Sequence, residues 1–262
     1  MRVPAFSVPR VVLFDLDDTL FDHASAARAA LRGVHGAHGS LASRDFAAFE
    51  LDHARHLEDL HVRVVAGEIG IDEARIERFR RLMSQSGVAA DDRLLEQIAA
   101  GYRRGYLDAR APIDGARDLL AALNGRVKIG VVSNNLLEEQ REKMRHCGFD
   151  AYVDALIVSE EAGVSKPDPA IFTIALDRLG AAAGDAVMIG DSWSADIEGA
   201  LAAGVRAIWF NRFQRPRPRA DVASFAAFVP IQPVLDLILG GAEGRTNAAK
   251  PSTGRDGIER SA

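Results

Sequence analysis

Near its start the chain reads Val11-Val12-Leu13-Phe14-Asp15-Leu16-Asp17-Asp18-Thr19, an apolar run followed closely by aspartates. A continuous apolar run is typical of a strand that is buried on both faces of a parallel sheet. Asp15 and Asp17 follow at alternate positions, so strand geometry predicts that both carboxylates point to the same side. Open α/β sheets bind ligands outside the carboxyl ends of their strands, and two close carboxylates favour a bound cation there.

Further apolar runs of the same kind recur along the chain, and helix-like segments precede them. The runs cover residues 127–132, 155–158, 186–189 and 205–210, and helices are predicted at 116–123, 138–147, 169–179 and 195–203. Gly148, Gly180 and Gly204 follow three of these helices, where a left-handed residue commonly ends a helix. Alternating helices and strands predict an α/β fold with a doubly wound, Rossmann-like parallel sheet.

Residues 22–109 differ from the rest because they contain no apolar run typical of a buried strand. Helices are predicted there over residues 24–34, 46–65, 72–86 and 91–108. Asp72 is the expected N-cap of the third helix, and Gly87 is expected just past its end. We therefore expect a helical domain of residues 22–109 inserted into a core of residues 1–21 and 110–240. Residues 241–262 hold only one large apolar side chain, Ile258, and are predicted to form a disordered tail.

The composition excludes several classes of protein. The 262 residues carry a formal charge of −5, and this lack of a basic excess argues against a nucleic acid polymer or a membrane surface as partner. Cys147 is the only cysteine, which excludes an internal disulfide and a multi-cysteine zinc site. No apolar run is long enough to predict a signal peptide or a membrane span. We expect a cytoplasmic protein, either a monomer or a homodimer.

Polar groups suited to an anion follow two of the later strands. Ser133 and Asn134 come directly after the run at 127–132, and they offer a short hydroxyl and an amide. Lys166 precedes the helix that starts near Pro169, where its charge could face a phosphate. Each feature has an ordinary alternative, since short polar residues cap helices and a lysine in a proline-rich turn is usually solvated.

Two more aspartates follow the strand at 186–189. Asp191 stands at the strand end, and Asp196 lies about one and a half turns into the next helix. A hard cation such as Mg²⁺ takes oxygen ligands, so these carboxylates could hold one together with Asp15. The alternative is that acidic residues are simply favoured by the helix dipole. The occurrence of such groups at successive strand ends favours one shared site.

In these residues and their order, the sequence resembles the haloacid dehalogenase-like (HAD) hydrolase superfamily. The four motifs of that family match Asp15-Leu16-Asp17-Asp18-Thr19, then Ser133, then Lys166, then Gly190-Asp191-Ser192 with Asp196. The resemblance covers about residues 10–22 and 112–240, and it implies that the inserted helices form the α-helical cap of the family. The runs Glu160–Asp168 and Met188–Asp196 are similar to a phosphatase branch that includes pyrimidine 5′-nucleotidases.

The resemblance also implies a mechanism. Asp15 would be the nucleophile and would form an aspartyl-phosphate. Asp17 would protonate the leaving oxygen and later take a proton from the attacking water. Mg²⁺ would be held by the carboxylate of Asp15, the backbone carbonyl of Asp17 and the carboxylate of Asp191.

Binding of the phosphoryl group is assigned by the same resemblance. Ser133, Asn134 and Lys166 would hold its oxygens, with Lys166 offsetting their charge during catalysis. Asp196 and Thr19 would orient the residues that contact the phosphoryl group and the metal, without binding the phosphoryl group themselves.

These roles predict a Mg²⁺-dependent phosphatase of small phosphorylated metabolites, with nucleoside monophosphates as the first expectation and sugar phosphates as the second. Asp17 favours phosphate esters over carbon–halogen bonds, because the dehalogenases of the family lack an aspartate at this position. A phosphomutase, a 2-haloacid dehalogenase and a non-catalytic nucleotide-binding module remain alternatives. A signalling receiver domain fits less well, because its phosphorylated aspartate lies on a later strand.

Some residues of the insertion and of the last loop have less specific patterns. Six of the seven histidines lie in the insertion and are predicted to be solvated or to cap helices rather than to bind metal. Packing or solvation is expected for four residues of its last helix: Tyr102, Arg103, Arg104 and Tyr106. Phe21 and His23 lie at the junction and could face substrate. Residues 212–219 are predicted to be an exposed basic loop, and Trp193 either borders the site or packs.

Overall fold

A computed structural model describes residues 8–240, and within them the chain forms a parallel six-stranded sheet in the order β3-β2-β1-β4-β5-β6. The strands are β1 (Val11–Phe14), β2 (Lys128–Ser133), β3 (Ala155–Val158), β4 (Ala186–Gly190), β5 (Arg206–Phe210) and β6 (Ala223–Phe225). The predicted doubly wound α/β class is therefore confirmed. The predicted tail at 241–262 lies outside the described residues.

Helices fill the segment between β1 and β2 and flank the sheet. The segment between those strands contains α1 (His23–Ala37), α2 (Gly39–Ala42), α3 (Phe46–Val65), α4 (Ile71–Gln85) and α5 (Asp92–Asp108). The later helices are α6 (Ala116–Leu123), α7 (Leu137–Cys147), α8 (Ser159–Ala162), α9 (Pro169–Leu179), α10 (Gly199–Ala202) and α11 (Ile231–Leu239). None of the helices in residues 8–240 is both long and apolar enough to cross a membrane.

The apolar run of β1 is continuous because both faces of the strand are covered. Val12 and Phe14 belong to one buried cluster, which they share with α6, α11 and the inserted helices. Val11 and Leu13 belong to a second cluster on the opposite face, packed against α9. All four side chains are at most 1% exposed, so burial on both faces explains why the strand does not alternate.

The register of the central strands brings their ends together. Phe14 lies opposite Val131 on one side and Ile189 on the other, and the backbone N–H of Asp15 donates to the carbonyl of Ile189. The residues that follow β1, β2 and β4 therefore meet at one edge of the sheet, as the sequence predicts.

Some local predictions were wrong. Asp72 is not an N-cap, because α4 begins at Ile71 after Gly70, and Asp72 instead lies in the first turn and pairs with Arg75 at 2.7 Å. The predicted helix at 195–203 begins as a π-helix over Trp193–Glu198 and continues into α10. The short strand β6 was missed because its partly exposed residues form no apolar run.

Candidate active site

A buried lysine occupies the centre of the site. Lys166 is 6% exposed, and its Nζ donates to Asp15 Oδ1 at 2.6 Å, to Asp196 Oδ1 at 2.7 Å and to the Val132 carbonyl at 2.7 Å. Charge-assisted bonds of this length are strong because they are shielded from water. The ammonium group is thus fixed between the first and the last of the predicted motifs.

Three carboxylates surround this lysine. Oxygen atoms of Asp15, Asp191 and Asp196 all lie within 4.8 Å of one another. Burial raises the pKa of Asp15 well above its ordinary value, with Lys166 opposing and Asp196 adding to the effect. Burial and the charge of Asp196 likewise raise the pKa of Asp191 to about 7. One ammonium faces three carboxylates, so the donor set fits a hard divalent cation that would balance the remaining negative charge.

The loop after β4 has a backbone shaped around Asp196. The Oδ2 atom of Asp196 accepts from the Ser192 N–H at 2.9 Å. A Cβ added at Gly190 would collide with the Asp196 carboxylate, so glycine is required there for a close approach. Thr19 is fully buried, and its Oγ1 accepts from the Asp191 N–H at 3.1 Å. Thr19 therefore contacts the backbone of Asp191, and Asp196 contacts Lys166 directly.

The polar residues after β2 have different roles from one another. Ser133 is 2% exposed, and its Oγ accepts from Gln140 Nε2 at 2.6 Å. The amide of Asn134 is used by the backbone of Lys166: Nδ2 donates to its carbonyl and Oδ1 accepts from its N–H, both at 2.8 Å. Both ends of the Asn134 amide therefore position Lys166, and a role of Asn134 in holding the phosphoryl group stays a prediction.

Asp17 lies apart from the three-carboxylate cluster. Lys143 Nζ donates to its two oxygens at 2.6 and 2.8 Å, and Gln140 Nε2 donates to Oδ2 at 2.8 Å. Burial alone would raise the pKa of Asp17, but the charge and hydrogen bonds of Lys143 outweigh it and lower this pKa below its ordinary range. Because β1 ends at Phe14, strand alternation does not extend to Asp17, and the two aspartates pair with different lysines.

Sequence reasoning missed Gln140 and Lys143. They lie three residues apart on α7, on the same face as the buried Met144 and Cys147. A polar residue at a buried position of an amphipathic helix is unusual and needs a partner. That spacing was the available signal, although it could not identify Asp17 as the partner.

The ion pair of Lys143 should stabilise the fold. We expect Lys143→Met to lower the free energy of unfolding by about 2 kcal/mol, less than for a fully buried pair because the Asp17 side chain is 25% exposed. Urea denaturation of Lys143→Met and of the control Lys128→Met, whose side chain is exposed, measures this difference. Equal losses in the two variants would contradict the assignment.

The inserted helices lie directly against the motif residues. His61 Nε2 is 2.9 Å from the carbonyl of Asn134, and His23 Nδ1 is 2.9 Å from the hydroxyl of Tyr106. A cavity of about 470 Å³ between the insertion and the sheet edge is lined by Asp17, Asn134 and His23 among others. The structure therefore places His23 beside the site. A second, smaller cavity of about 120 Å³ is also lined by His23, whereas Phe21 is fully buried and lines neither cavity.

The less specific predictions have mixed outcomes. Tyr102 and Tyr106 are buried, as the packing prediction states. His53 is 4% exposed, so it is not solvated as predicted, and burial lowers its pKa well below the ordinary value. Residues 213–219 are exposed, as predicted for this loop, whereas Arg212 is only partly exposed and pairs with Asp22 at 3.0 Å. Trp193 packs edge-on against Trp209.

Carboxylates of α7 connect the sheet core to the insertion. Glu139 accepts from Arg75 on α4 at 2.9 Å and from both terminal nitrogens of Arg103 on α5 at 3.0 and 3.1 Å. Arg103 also reaches Glu142 at 3.1 Å. These bonds join α7 of the sheet core to α4 and α5 of the insertion.

We expect Glu139→Gln to weaken this connection. The loss should be about 1 kcal/mol, because all three side chains are only partly buried. The melting temperature of Glu139→Gln should also change less with salt concentration, because salt screens the ion pairs of Glu139 and the variant no longer has them. The neighbouring variant Glu138→Gln is a matched control, because Glu138 pairs with Arg145 within the same helix. An identical salt dependence in both variants would contradict the prediction.

Comparison with known proteins agrees with this geometry. Residues 9–204 match the haloacid dehalogenase-like hydrolases, and the chain belongs to this family. The HAD-hydrolase YfnB of Bacillus subtilis (strain 168) is 31% identical over 208 residues, which are 79% of this chain and 86% of that protein. A crystal structure of YfnB bound to magnesium matches with a TM-score of 0.70 and 28% identity, covering 88% of this chain and 100% of that one.

Relatives with assigned activities include phosphatases. The N-acylneuraminate-9-phosphatase of Mus musculus is 30% identical over 230 residues, which are 82% of this chain and 90% of that protein. The pyrimidine 5′-nucleotidase YjjG of Escherichia coli (strain K12) is 38% identical over 108 residues, which are 41% of this chain and 48% of that protein. The chain is accordingly a hydrolase of the phosphatase type.

Proposed function

We propose that this chain hydrolyses small phosphate monoesters by a Mg²⁺-dependent mechanism with an aspartyl-phosphate on Asp15. The observation that carries the proposal is the buried group of Asp15, Lys166, Asp191 and Asp196 at the edge of the sheet. It combines a nucleophile, a fixed cation and a set of oxygen ligands in one place. A phosphatase needs these three elements to neutralise and attack a phosphoryl group.

The metal would be held by Asp15, Asp191 and the backbone carbonyl of Asp17. When bound, it neutralises charge on the phosphoryl oxygens and on the attacking carboxylate. Three observations support this assignment: the donors are all oxygens, the carboxylates exceed the available ammonium charge, and the YfnB structure is bound to magnesium.

The first step transfers the phosphoryl group to the enzyme. A carboxylate oxygen of Asp15 forms a bond to phosphorus, the ester oxygen leaves, and Asp17 supplies its proton. Lys166 and the hydroxyl of Ser133 bind the phosphoryl oxygens. Asp17 must first take up a proton, and its ion pair with Lys143 opposes this because it stabilises the ionised carboxylate.

The second step returns the enzyme to its starting state. Water attacks phosphorus, Asp17 accepts a proton from it, and the bond between Asp15 and phosphorus breaks to release inorganic phosphate. The ionised form of Asp17 is required here, and Lys143 stabilises that form. The same ion pair thus favours the second step and disfavours the first.

We further propose that residues 22–109 act as a cap that covers the bound substrate. We also propose that the protein works in the cytoplasm. The contact of His61 with Asn134 and the bonds of Glu139 support the role as a cap, because they close the insertion over the motif residues. Such a cap must open to release product and close to exclude water. Nucleoside monophosphates and sugar phosphates are the candidate substrates, in that order, from the relationship to YjjG and from the sequence motifs.

Phosphate release from a panel of nucleotides and sugar phosphates tests the proposal. We expect release that needs Mg²⁺, disappears on chelation and returns when the metal is restored. Halide release from 2-haloacids would instead assign a dehalogenase, and movement of the phosphoryl group within a sugar would assign a mutase. Binding of nucleotide without any turnover in the presence of Mg²⁺ would favour the non-catalytic module.

A further inference from the structure

Arg78 is a buried cation that has no carboxylate partner among residues 8–240. It lies on α4, is 5% exposed, and its Nε has no hydrogen-bond partner. No carboxylate of residues 8–240 forms an ion pair with it, and its guanidinium instead rests over the rings of Phe79 at 5.3 Å and Tyr102 at 4.7 Å. Burial lowers the pKa of the guanidinium, and the neighbouring charge of Arg75 adds to this effect.

This arrangement is unfavourable for the protein alone. A charged group removed from water needs a partner, and arginine is rarely buried without one. Stacking on two aromatic rings compensates only part of that cost. The nearby Arg75 on α4 and Arg103 on α5 do have a carboxylate, because both bind Glu139. Arg78 therefore remains available for an anion that comes from outside the chain.

The position of Arg78 suggests where that anion belongs. It lines a cavity of about 120 Å³ together with Tyr102, His23, Asn135 and Lys143. Asn135 and Lys143 both donate to Asp17, so one end of the cavity lies at the proposed proton donor for the leaving group. A molecule in this cavity is therefore the part of the substrate that leaves after phosphoryl transfer.

Charge within this cavity favours an anion. Lys143 is paired with Asp17, and Arg75 and Arg103 share Glu139, so their charges are at least partly balanced. Among the residues that line the cavity, Arg78 is the arginine without an ion-pair partner. Its planar fork of donors suits the two oxygens of a carboxylate or of a phosphate.

We propose that Arg78 selects the substrate by binding a second anionic group, a carboxylate or a second phosphate, on the leaving-group side of the phosphate monoester. The inference rests on the proposed phosphatase function and narrows it. It ranks phosphorylated acids and bisphosphates above nucleoside monophosphates, whose leaving group is uncharged, and so changes the order of substrates that the sequence motifs and the relationship to YjjG suggest. Arg78 acts in recognition and takes no part in bond formation or cleavage.

Matched substrate pairs test this selection. Phosphoserine and phosphoethanolamine differ by one carboxylate, and fructose 1,6-bisphosphate and fructose 6-phosphate differ by one phosphate. The wild-type enzyme should have the higher kcat/KM for the member with the second anion in at least one pair, and the pair that responds identifies the anion. In Arg78→Met that preference should fall by roughly 10- to 100-fold, the range expected for a lost charge-assisted hydrogen bond. Arg78→Lys should retain part of it, because the charge remains while the fork is lost.

Thermal unfolding distinguishes a binding role from a structural one. We expect Arg78→Met to melt at the same temperature as the wild type or above it, because an unpaired buried charge has been removed. Arg104→Met is the control, since Arg104 is an exposed arginine of α5, and it should change neither the preference nor the melting temperature. A strong loss of stability in Arg78→Met with an unchanged substrate preference would overturn the proposal, as would a wild-type enzyme with no preference in either pair.

Failure of the phosphatase proposal can be told apart from failure of this one. If no ester is hydrolysed, the melting temperature is measured with phosphoserine and with fructose 1,6-bisphosphate as probes. A rise in the wild type that is absent in Arg78→Met would support the anion site even without turnover. No rise with either probe in the wild type would overturn it. If Arg78→Met does not fold, the rise in melting temperature with each probe is compared between the wild type and Arg78→Lys instead.

Discussion

Phosphate release is expected to fall by a factor of about 10⁴ or more in Asp15→Asn, a loss comparable to removal of a nucleophile in other enzymes. An amide of the same shape cannot attack phosphorus. The fold should persist, because Lys166 keeps its bonds to Asp196 and to the Val132 carbonyl. Steady-state phosphate release with the best substrate of the panel, together with a thermal melt, measures both effects.

A control separates loss of the nucleophile from loss of charge in general. Asp221→Asn removes an exposed carboxylate that pairs with Arg219 at 2.6 Å, and it should leave turnover close to that of the wild type. Appreciable turnover by Asp15→Asn would show that another group attacks phosphorus. Equal losses in both variants would point to a nonspecific effect of charge.

The second large effect is expected in the stability of Lys166→Met. Removal of the ammonium leaves Asp15 and Asp196 buried without their shared partner. Breaking one side of a buried ion pair typically costs about 3–5 kcal/mol, and we expect a loss of that size in the free energy of unfolding at neutral pH without metal. Urea denaturation measures it, and the variant should also be inactive.

The pH dependence of this loss has a defined sign. In Lys166→Met the pKa of Asp15, which burial already raises, should rise further without the opposing ammonium, so the folded state binds more protons than the unfolded chain and gains stability as the pH falls. The gap to the wild type should therefore narrow between neutral and acidic pH. Lys128→Met, an exposed control, should change stability by about 0.5 kcal/mol or less. A gap that widens on acidification would contradict the account.

The core of the fold could be predicted because its signals are local. The run Val11–Phe14 is buried on both faces, and each later strand that flanks it has the same continuous apolar character. Once the strands are parallel, their carboxyl ends must meet at one edge, which brings Asp15, Lys166 and Asp191 together. The π-helix at Trp193–Glu198 was not predictable in this way, since its hydrogen bonding adapts to the packing around it.

Side-chain partners were harder to predict than positions. Asn134 was identified as a site residue, but its amide binds the backbone of Lys166, and sequence alone does not show which way an amide faces. The pairing of Asp17 with Lys143 joins residues far apart in the chain and depends on the rotation of α7.

Arg78 shows the same limit within a single helix. It is one of four arginines on α4. Ala74 and Leu82 lie four residues to either side of it and are also buried, so its place on the apolar face was visible in the spacing. The lack of a carboxylate beside it in residues 8–240 was not visible, because that depends on the helices packed against α4.

Detection of the covalent intermediate tests the central claim most directly. The enzyme is mixed with its best substrate and Mg²⁺, quenched in acid during turnover, digested and examined by mass spectrometry. We predict a phosphoryl group on the peptide that contains Asp15, and none in Asp15→Asn treated in the same way. Phosphate release by the wild type without this modified peptide, or with the phosphoryl group on another residue, would contradict the account.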